Sequence, residues 1–248
     1  MTHYFITGAS AGIGAALATK LNNDKHHVSA VARRADRLAA KQQASDYFCG
    51  YQADVRDANA IAAAVIDSVK TYGPIDVAIL NAGIYAPQDG CQITPSIYAE
   101  HMDVNYMGVV NGLAAIIPRM LAAGVGQIVI ISSVAGWRGL PKAAAYAPTK
   151  AALIALAESL YFDLTPKNIK IQIMCPGFVD TEATAVNDFD MPDLLTAETA
   201  AEHIISGMKS NIFSHDFPKS FTRKLKLLKF LPDRLYFALV KKQTGAKS

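Results

Sequence analysis

Short apolar runs alternate with helical runs along this chain, and that rhythm limits the fold more than any other feature. Tyr4–Ile6, Val28–Ala32, Tyr47–Ala53, Ile75–Leu80, Gln127–Ile131 and Ile169–Met174 read as strands. Helical patterns separate them: Ala15–Leu21, Ala58–Lys70 with Ile61, Val65 and Val69 at helical spacing, Ser96–Ala122, and a segment through Tyr146 that stops at Pro166. Such alternation builds βαβ units, hence an α/β fold with a doubly wound parallel sheet flanked by helices. Gln127–Ile131 is nearly all apolar, as a strand covered on both faces requires. Ligands of such sheets bind outside the carboxyl ends of the strands. Gly8, Arg33, Asp54, Asn81, Ser133 and Pro176 each follow a strand, so all six are expected on one edge. Pro118 predicts a kink or an early end to its helix. Pro148 is tolerable only if its helix begins near Ala144 or Ala145.

The 248 residues contain no linker, and a single domain is expected over 1–218. Ile212–Phe217 reads as its last strand, with a basic helical extension over 219–248. Hydrophobic content of 51% against 18% charged implies a filled core. Met1–Thr7 enters a strand at once, without the basic and apolar regions of a secretory signal, and no run of 18 uninterrupted apolar residues occurs. Cys49, Cys91 and Cys175 lack metal-ligand spacing; they read as buried free thiols in a reducing compartment, with the cytoplasm as the expected location. The net charge of +3 hides an asymmetry. Residues 211–248 hold nine Lys and Arg against Asp216 and Asp233, a net of +7, so the other residues sum to −4. Basic charge confined to one tail argues against nucleic acid as a partner.

Two stretches carry chemistry. Thr7-Gly8-Ala9-Ser10-Ala11-Gly12-Ile13-Gly14 is a glycine-rich turn between strand and helix, where backbone N–H groups can approach a pyrophosphate. After the second strand, a site for NAD usually has Asp or Glu to accept from the ribose 2′-OH. Here Ala32 stands there and Arg33-Arg34 follow, which suit a 2′-phosphate, so NADP(H) is favoured over NAD(H). The second stretch is Tyr146-Ala147-Pro148-Thr149-Lys150. Residues four apart share a helix face, and an ammonium beside a phenol favours the phenolate. Bringing a phenol from ~10 to neutrality needs roughly 4 kcal/mol, which a desolvated lysine and a helix N-terminus can supply. Tyr146 would then serve as an acid–base catalyst.

The ordered set of Thr7–Gly14, Asp54-Val55, Asn81-Ala82-Gly83, Asn105, Ser133 with Tyr146 and Lys150, and Pro176-Gly177-Phe178-Val179-Asp180-Thr181 resembles the short-chain dehydrogenase/reductase family, ordinary soluble type. The resemblance covers roughly residues 3–217 and implies a Rossmann-like single domain. It further implies an NAD(P)(H)-dependent oxidoreductase that interconverts a carbonyl and an alcohol by hydride transfer. Tyr146 would be general acid or base, Lys150 would lower its pKa and bind the nicotinamide ribose, and Ser133 would hold the substrate oxygen. Asn105 would hold a water in a proton relay. Gly8, Ser10, Ala11, Gly12, Ile13 and Gly14 would cradle the cofactor phosphates, Asp54 and Val55 would meet the adenine, and Asn81, Ala82 and Gly83 the adenosine side. Pro176, Gly177 and Val179 would also contact the cofactor, and Thr181 would bind its carboxamide. Ala11 departs from the basic residue that NADPH-preferring members often carry there, and no C-terminal Gly-Gly segment is present. A homodimer is therefore expected in preference to the family's usual tetramer.

Two other readings remain: a dinucleotide-binding sensor or scaffold on the same fold, and an epimerase or dehydratase of the same family. The pocket is expected from Ile84–Gly90, Val134–Ala145 and Phe178–Leu195, including Tyr85, Trp137, Phe178 and Phe189. Its apolar character points to a hydrophobic or lipid-like carbonyl compound, and the polar 178–195 segment to a mobile lid. In the tail, Leu225, Leu228 and Phe230–Leu231 fall on one side of a helix, and Leu235–Val240 forms a second helix between basic residues. Such helices can pack on the pocket or a dimer partner, or lie on anionic lipid. Packing is the favoured expectation, since amphipathic helices usually face a core.

Overall fold

The computed structural model describes residues 1–187 and 190–244; Phe189, expected in the pocket, and Lys247, one of the nine basic residues of the tail, lie outside the described residues. The strands are β1 (His3–Thr7), β2 (His27–Ala32), β3 (Phe48–Gln52), β4 (Val77–Leu80), β5 (Gly126–Ile131), β6 (Ile169–Pro176) and β7 (Ser214–Phe217). Their order is β3-β2-β1-β4-β5-β6-β7, and every pairing is parallel. The helices are α1 (Gly12–Asn23), α2 (Ala35–Gln43), α3 (Ala58–Tyr72), α4 (Pro95–Met102), α5 (Gly108–Ala123), α6 (Ala147–Leu164), α7 (Ala197–Met208), α8 (Lys219–Lys229) and α9 (Asp233–Thr244).

Side-chain alternation divides the core into two layers. Ile128 and Ile130 of β5 join α3, α5 and α6 on one face. Val129 and Ile131 of the same strand join α1, α2 and α7 on the other. All four are essentially inaccessible, and burying each stabilises the fold by roughly 1.5–3 kcal/mol. The strand order reverses between β1 and β4, the switch point of doubly wound sheets.

Three expectations need correction. Of the kink or early end expected at Pro118, the early end does not occur, since helix α5 continues through Pro118 to Ala123. Pro118 and Ala114, whose carbonyl loses its donor, are both exposed, so water can replace that bond. Helix α6 starts at Ala147, later than Ala144 or Ala145, with Tyr146 as its N-cap residue and Pro148 in the first turn, where a missing N–H costs little. Of the three thiols only Cys175 is buried; Cys49 is half-buried and Cys91 exposed.

Helices α4 and α5 are joined through a π-helical turn, Asp103–Met107. The composite, Pro95–Ala123, is long and apolar enough by length and composition to cross a membrane. Its Val104, Val109, Leu113, Ile116 and Met120 nevertheless sit in the core against the sheet.

Candidate active site

A cleft of about 1830 Å³ opens along the carboxyl edge of the sheet. Its cofactor end is built on close approach. Gly8 has φ +71°, and a Cβ on Gly14 would lie 2.3 Å from the Gly8 carbonyl oxygen and 2.5 Å from Asn81 Nδ2. Asn81 braces this turn by donating from Nδ2 to Thr7 O at 3.1 Å, while Thr7 Oγ1 accepts from the N–H groups of Asn81 and Ala82. No side chain caps the N-terminus of α1, so its first N–H groups face the cleft as an anion site. This cradle of glycines and uncapped amides fits a pyrophosphate.

Gly8, Ser10, Ala11, Gly12, Ile13, Arg33, Arg34, Asp54, Val55, Asn81, Ala82, Gly83, Pro176, Gly177, Val179 and Thr181 all line the cleft, as do Ser133, Tyr146 and Lys150. Gly14 and Asn105 stand behind its wall. The arginines after β2 are already engaged. Arg34 donates to Ser10 Oγ at 3.2 Å and to Glu182 at 2.7 Å, and Arg33 lies 4.0 Å from Asp54. Arg56 grips the same Asp54 and holds its carboxyl below the usual carboxylate range.

At the other end, β5 delivers Ser133 and the first turn of α6 delivers Tyr146 and Lys150. Lys150 is buried, with Nζ donating to Ile131 O at 2.9 Å and lying 5.5 Å from the Tyr146 ring centre. Ser132 Oγ holds the Lys150 carbonyl at 2.9 Å. Burial pushes the Tyr146 phenol up to about 12, against a downward pull from the Ser133 hydroxyl. Burial also lowers Lys150 to about 8. The expected depression of Tyr146 by Lys150 is thus absent from this geometry. The ammonium is turned to a backbone carbonyl, and desolvation of the phenol dominates.

Asn105, on the π-helical turn, is fully buried. Its Oδ1 accepts from Ile84 N at 2.7 Å, and its Nδ2 donates to Ile84 O and to Thr149 Oγ1 at 3.0 and 3.1 Å. Thr149 donates in turn to Tyr146 O at 2.7 Å. This chain fixes the loop after β4 against the first turn of α6. A Cβ at Gly83 would meet Asn105 Oδ1 at 3.2 Å and Lys150 Nζ at 3.5 Å, so only glycine passes between them comfortably.

The substrate side departs from expectation in its lining. Tyr85 and Phe178 line the cleft, but Trp137 does not; it packs on the core beneath, with the Lys226 ammonium 5.4 Å from its ring centre. The tail supplies the missing apolar wall through Phe221, Leu225, Leu228 and Val240. Phe221, Leu225 and Leu228 share one face of α8, whereas Phe230, expected beside them, is 82% exposed. Arg138 fastens the tail. Its Nη1 donates to the carbonyls of Lys229 and Leu231 at 3.1 and 2.7 Å, its Nη2 pairs with Asp233, and its guanidinium stacks 3.8 Å from the Tyr236 ring centre. Tyr236 donates to Gly139 O at 2.7 Å. The 178–195 segment is tied at its base, where Leu195 N donates to Phe178 O and Asp180 N to Leu195 O.

The site roles of Arg138, Thr149, Glu182, Arg37 and Phe221 are not marked in the sequence, whereas Leu225 and Leu228 lie on the tail face expected to pack. For Phe221 only the i, i+4, i+7 spacing with Leu225 and Leu228 offers a signal.

A parallel sheet with a phosphate cradle at one end of its cleft and a buried hydroxyl, phenol and amine at the other defines a dinucleotide-dependent oxidoreductase fold. The short chain dehydrogenase family model matches residues 2–191, and the chain belongs to that family. It is 31% identical over 241 residues to an oxidoreductase of Myxococcus xanthus, covering 96% of this chain and 95% of that one. It is 32% identical over 197 residues to 2-(R)-hydroxypropyl-CoM dehydrogenase of Xanthobacter autotrophicus, covering 76% and 78%. In fold it is similar to a short-chain dehydrogenase from Streptomyces avermitilis, with a TM-score of 0.84 and 23% identity over 98% of this chain and 96% of that one.

Proposed function

We propose that the protein is an NADP(H)-dependent reductase of hydrophobic carbonyl compounds, working in the cytoplasm as a homodimer. The observation that carries this reading is the placement of Ser133, Tyr146 and Lys150 together on one cleft with the glycine turn. The bound nicotinamide supplies hydride exchange at its C4 atom. Tyr146 donates the proton to the substrate oxygen in reduction and accepts it in oxidation. Ser133 Oγ donates to the same oxygen as negative charge develops there. Lys150, once it turns from Ile131 O, stabilises the Tyr146 phenolate and holds ribose hydroxyls. A water between Asn105 and Lys150 links the site to solvent.

NADP(H) is favoured because β2 ends without an acid and is followed by Arg33, Arg34 and Arg37. The secondary alcohol in the Xanthobacter relative's name is consistent with carbonyl chemistry. Apolar side chains from the tail favour a hydrophobic substrate, and the tail serves as a wall of the substrate site in preference to a lipid anchor.

Absorbance loss of NADPH and NADH with ketones of increasing chain length tests the proposal. Faster oxidation of NADPH, rising with chain length and abolished by Tyr146→Phe, is expected. A Tyr146→Phe enzyme keeping more than about a tenth of its turnover would refute the acid–base assignment, since general acids supply about 10²–10⁴-fold.

A further inference from the structure

The arginines that a 2′-phosphate needs are closed on a carboxylate. Glu182 accepts from Arg34 through Oε2 at 2.7 Å and from Arg37 through Oε1 at 2.6 Å, so each of its oxygens has its own guanidinium. Ser10 completes the cluster, its Oγ accepting from Arg34 Nε at 3.2 Å and its carbonyl from Arg37 Nη1 at 3.4 Å. Ser10, Arg34 and Glu182 all line the cofactor end of the cleft. Hydrogen bonds from Arg34 and Arg37 hold the Glu182 carboxyl below the usual carboxylate range.

The neighbouring residue shows how near this segment stands to the phosphate turn. A Cβ at Gly12 would lie 2.9 Å from Thr181 Cγ2. Two guanidiniums closed on one small anion, with a serine hydroxyl bonded to one of them at its edge, are groups suited to a phosphate monoester. A carboxylate in that place imitates part of such a group.

We propose that Glu182 occupies the seat of the ribose 2′-phosphate and competes with it for Arg34 and Arg37. Glu182 is then a selectivity residue. It lowers affinity for the phosphorylated dinucleotide and leaves the unphosphorylated one alone. The inference rests on the reading of this cleft as a dinucleotide site, and it adds a coupling. Entry of the 2′-phosphate releases the segment beginning at Thr181, which borders the substrate side of the cleft.

Calorimetric titration of the full-length protein with 2′,5′-ADP and with 5′-AMP separates the two ideas. In Glu182→Gln and Glu182→Ala, 2′,5′-ADP is expected to bind about 3- to 30-fold more tightly than in the wild type, the factor supplied by two partly exposed ion pairs. Binding of 5′-AMP should stay within about twofold, because it carries no 2′-phosphate to compete for the arginines. High salt should narrow the gain. Unchanged or weaker 2′,5′-ADP binding in both variants overturns the inference while leaving the dinucleotide site intact. If Arg34→Ala leaves the preference for 2′,5′-ADP over 5′-AMP unaltered, the phosphate sits elsewhere and the inference also fails. A wild type that binds neither nucleotide refutes the dinucleotide reading and the inference together.

Discussion

The two ends of the cleft are built on different principles. At the cofactor end the phosphate cradle itself is backbone and lies within eight residues, a glycine turn running into an uncapped helix start, which Asn81 and Thr7 brace from adjacent strands. At the substrate end the wall is held by side chains, some of them reaching far along the chain. Arg138 reaches Leu231 and Asp233, and Lys226 reaches back to Asp216 at the end of β7. A backbone cradle tolerates almost no change in shape, whereas a side-chain staple can lose one bond and keep the rest. Fixed cofactor chemistry suits the first, and variable substrate shape suits the second.

The comparison is broken most sharply at Gly14. A methyl group there would stand 2.3 Å from a backbone oxygen that the neighbouring turn holds in place. Gly14→Ala should cost about 3 kcal/mol or more, at the top of the overpacking range, and abolish dinucleotide binding. Denaturant unfolding and nucleotide titration measure both; near-normal stability would mean the turn yields more easily than its packing implies. At the reacting end Ser133→Ala should lower kcat about 10²-fold with cofactor affinity unchanged, in line with loss of one hydrogen bond to a developing oxyanion. A drop in cofactor affinity of similar size would instead make Ser133 part of the cradle.

Arg138 tests the staple. Arg138→Ala removes the bonds to Lys229 and Leu231 and the stacking on Tyr236. The tail should loosen, raising KM for hydrophobic substrates about 10-fold, or about 1.4 kcal/mol, while kcat and NADPH affinity hold. Arg138→Lys keeps a charge for Asp233 but not the fork, and should rescue the effect only partly. An Arg138→Ala enzyme with unchanged KM would show that the tail shapes nothing in the pocket.

The same contrast explains what was legible beforehand. Six strands and the edge on which their ends converge follow from periodicity, because a parallel strand buried on both faces needs a continuous apolar run. The glycine turn was readable for the same reason, since its constraint lies within eight residues. Glu182 bonds to Arg34 and Arg37 across nearly 150 positions, and no period marks such a pair. Trp137 was assigned to the pocket by its neighbourhood, yet it closes the short turn Val134–Gly136 and its ring packs against the core. The start of α6 was misplaced because Ala147 N donates to Ala143 O at 2.7 Å, a turn that precedes the regular helix and resembles it in sequence.

The smallest effect concerns the charge of the buried lysine. Lys150 titrates at about 8 in the folded protein, against ~10.5 for a free lysine. Between these values the unfolded chain holds the proton that the folded one has released, so stability rises with pH. Below about 8 both states are protonated, and the cost of burying the ammonium is fully present. From pH 8 to pH 9 the rise from this group should be about 1 kcal/mol. Tyr146, pushed up to about 12 by burial, acts oppositely but only above the ordinary phenol range, so the window is clear of it. Other groups titrate alike in wild type and Lys150→Met, and the difference between the two unfolding curves isolates the lysine. Wild type should gain on Lys150→Met across this interval in the absence of nucleotide. With saturating dinucleotide the gain should shrink, because cofactor and phenolate then favour the ammonium and return its pKa towards that of a free lysine. A constant difference across the interval would place the Lys150 charge in water, contrary to its burial behind Gly83 and Ile131.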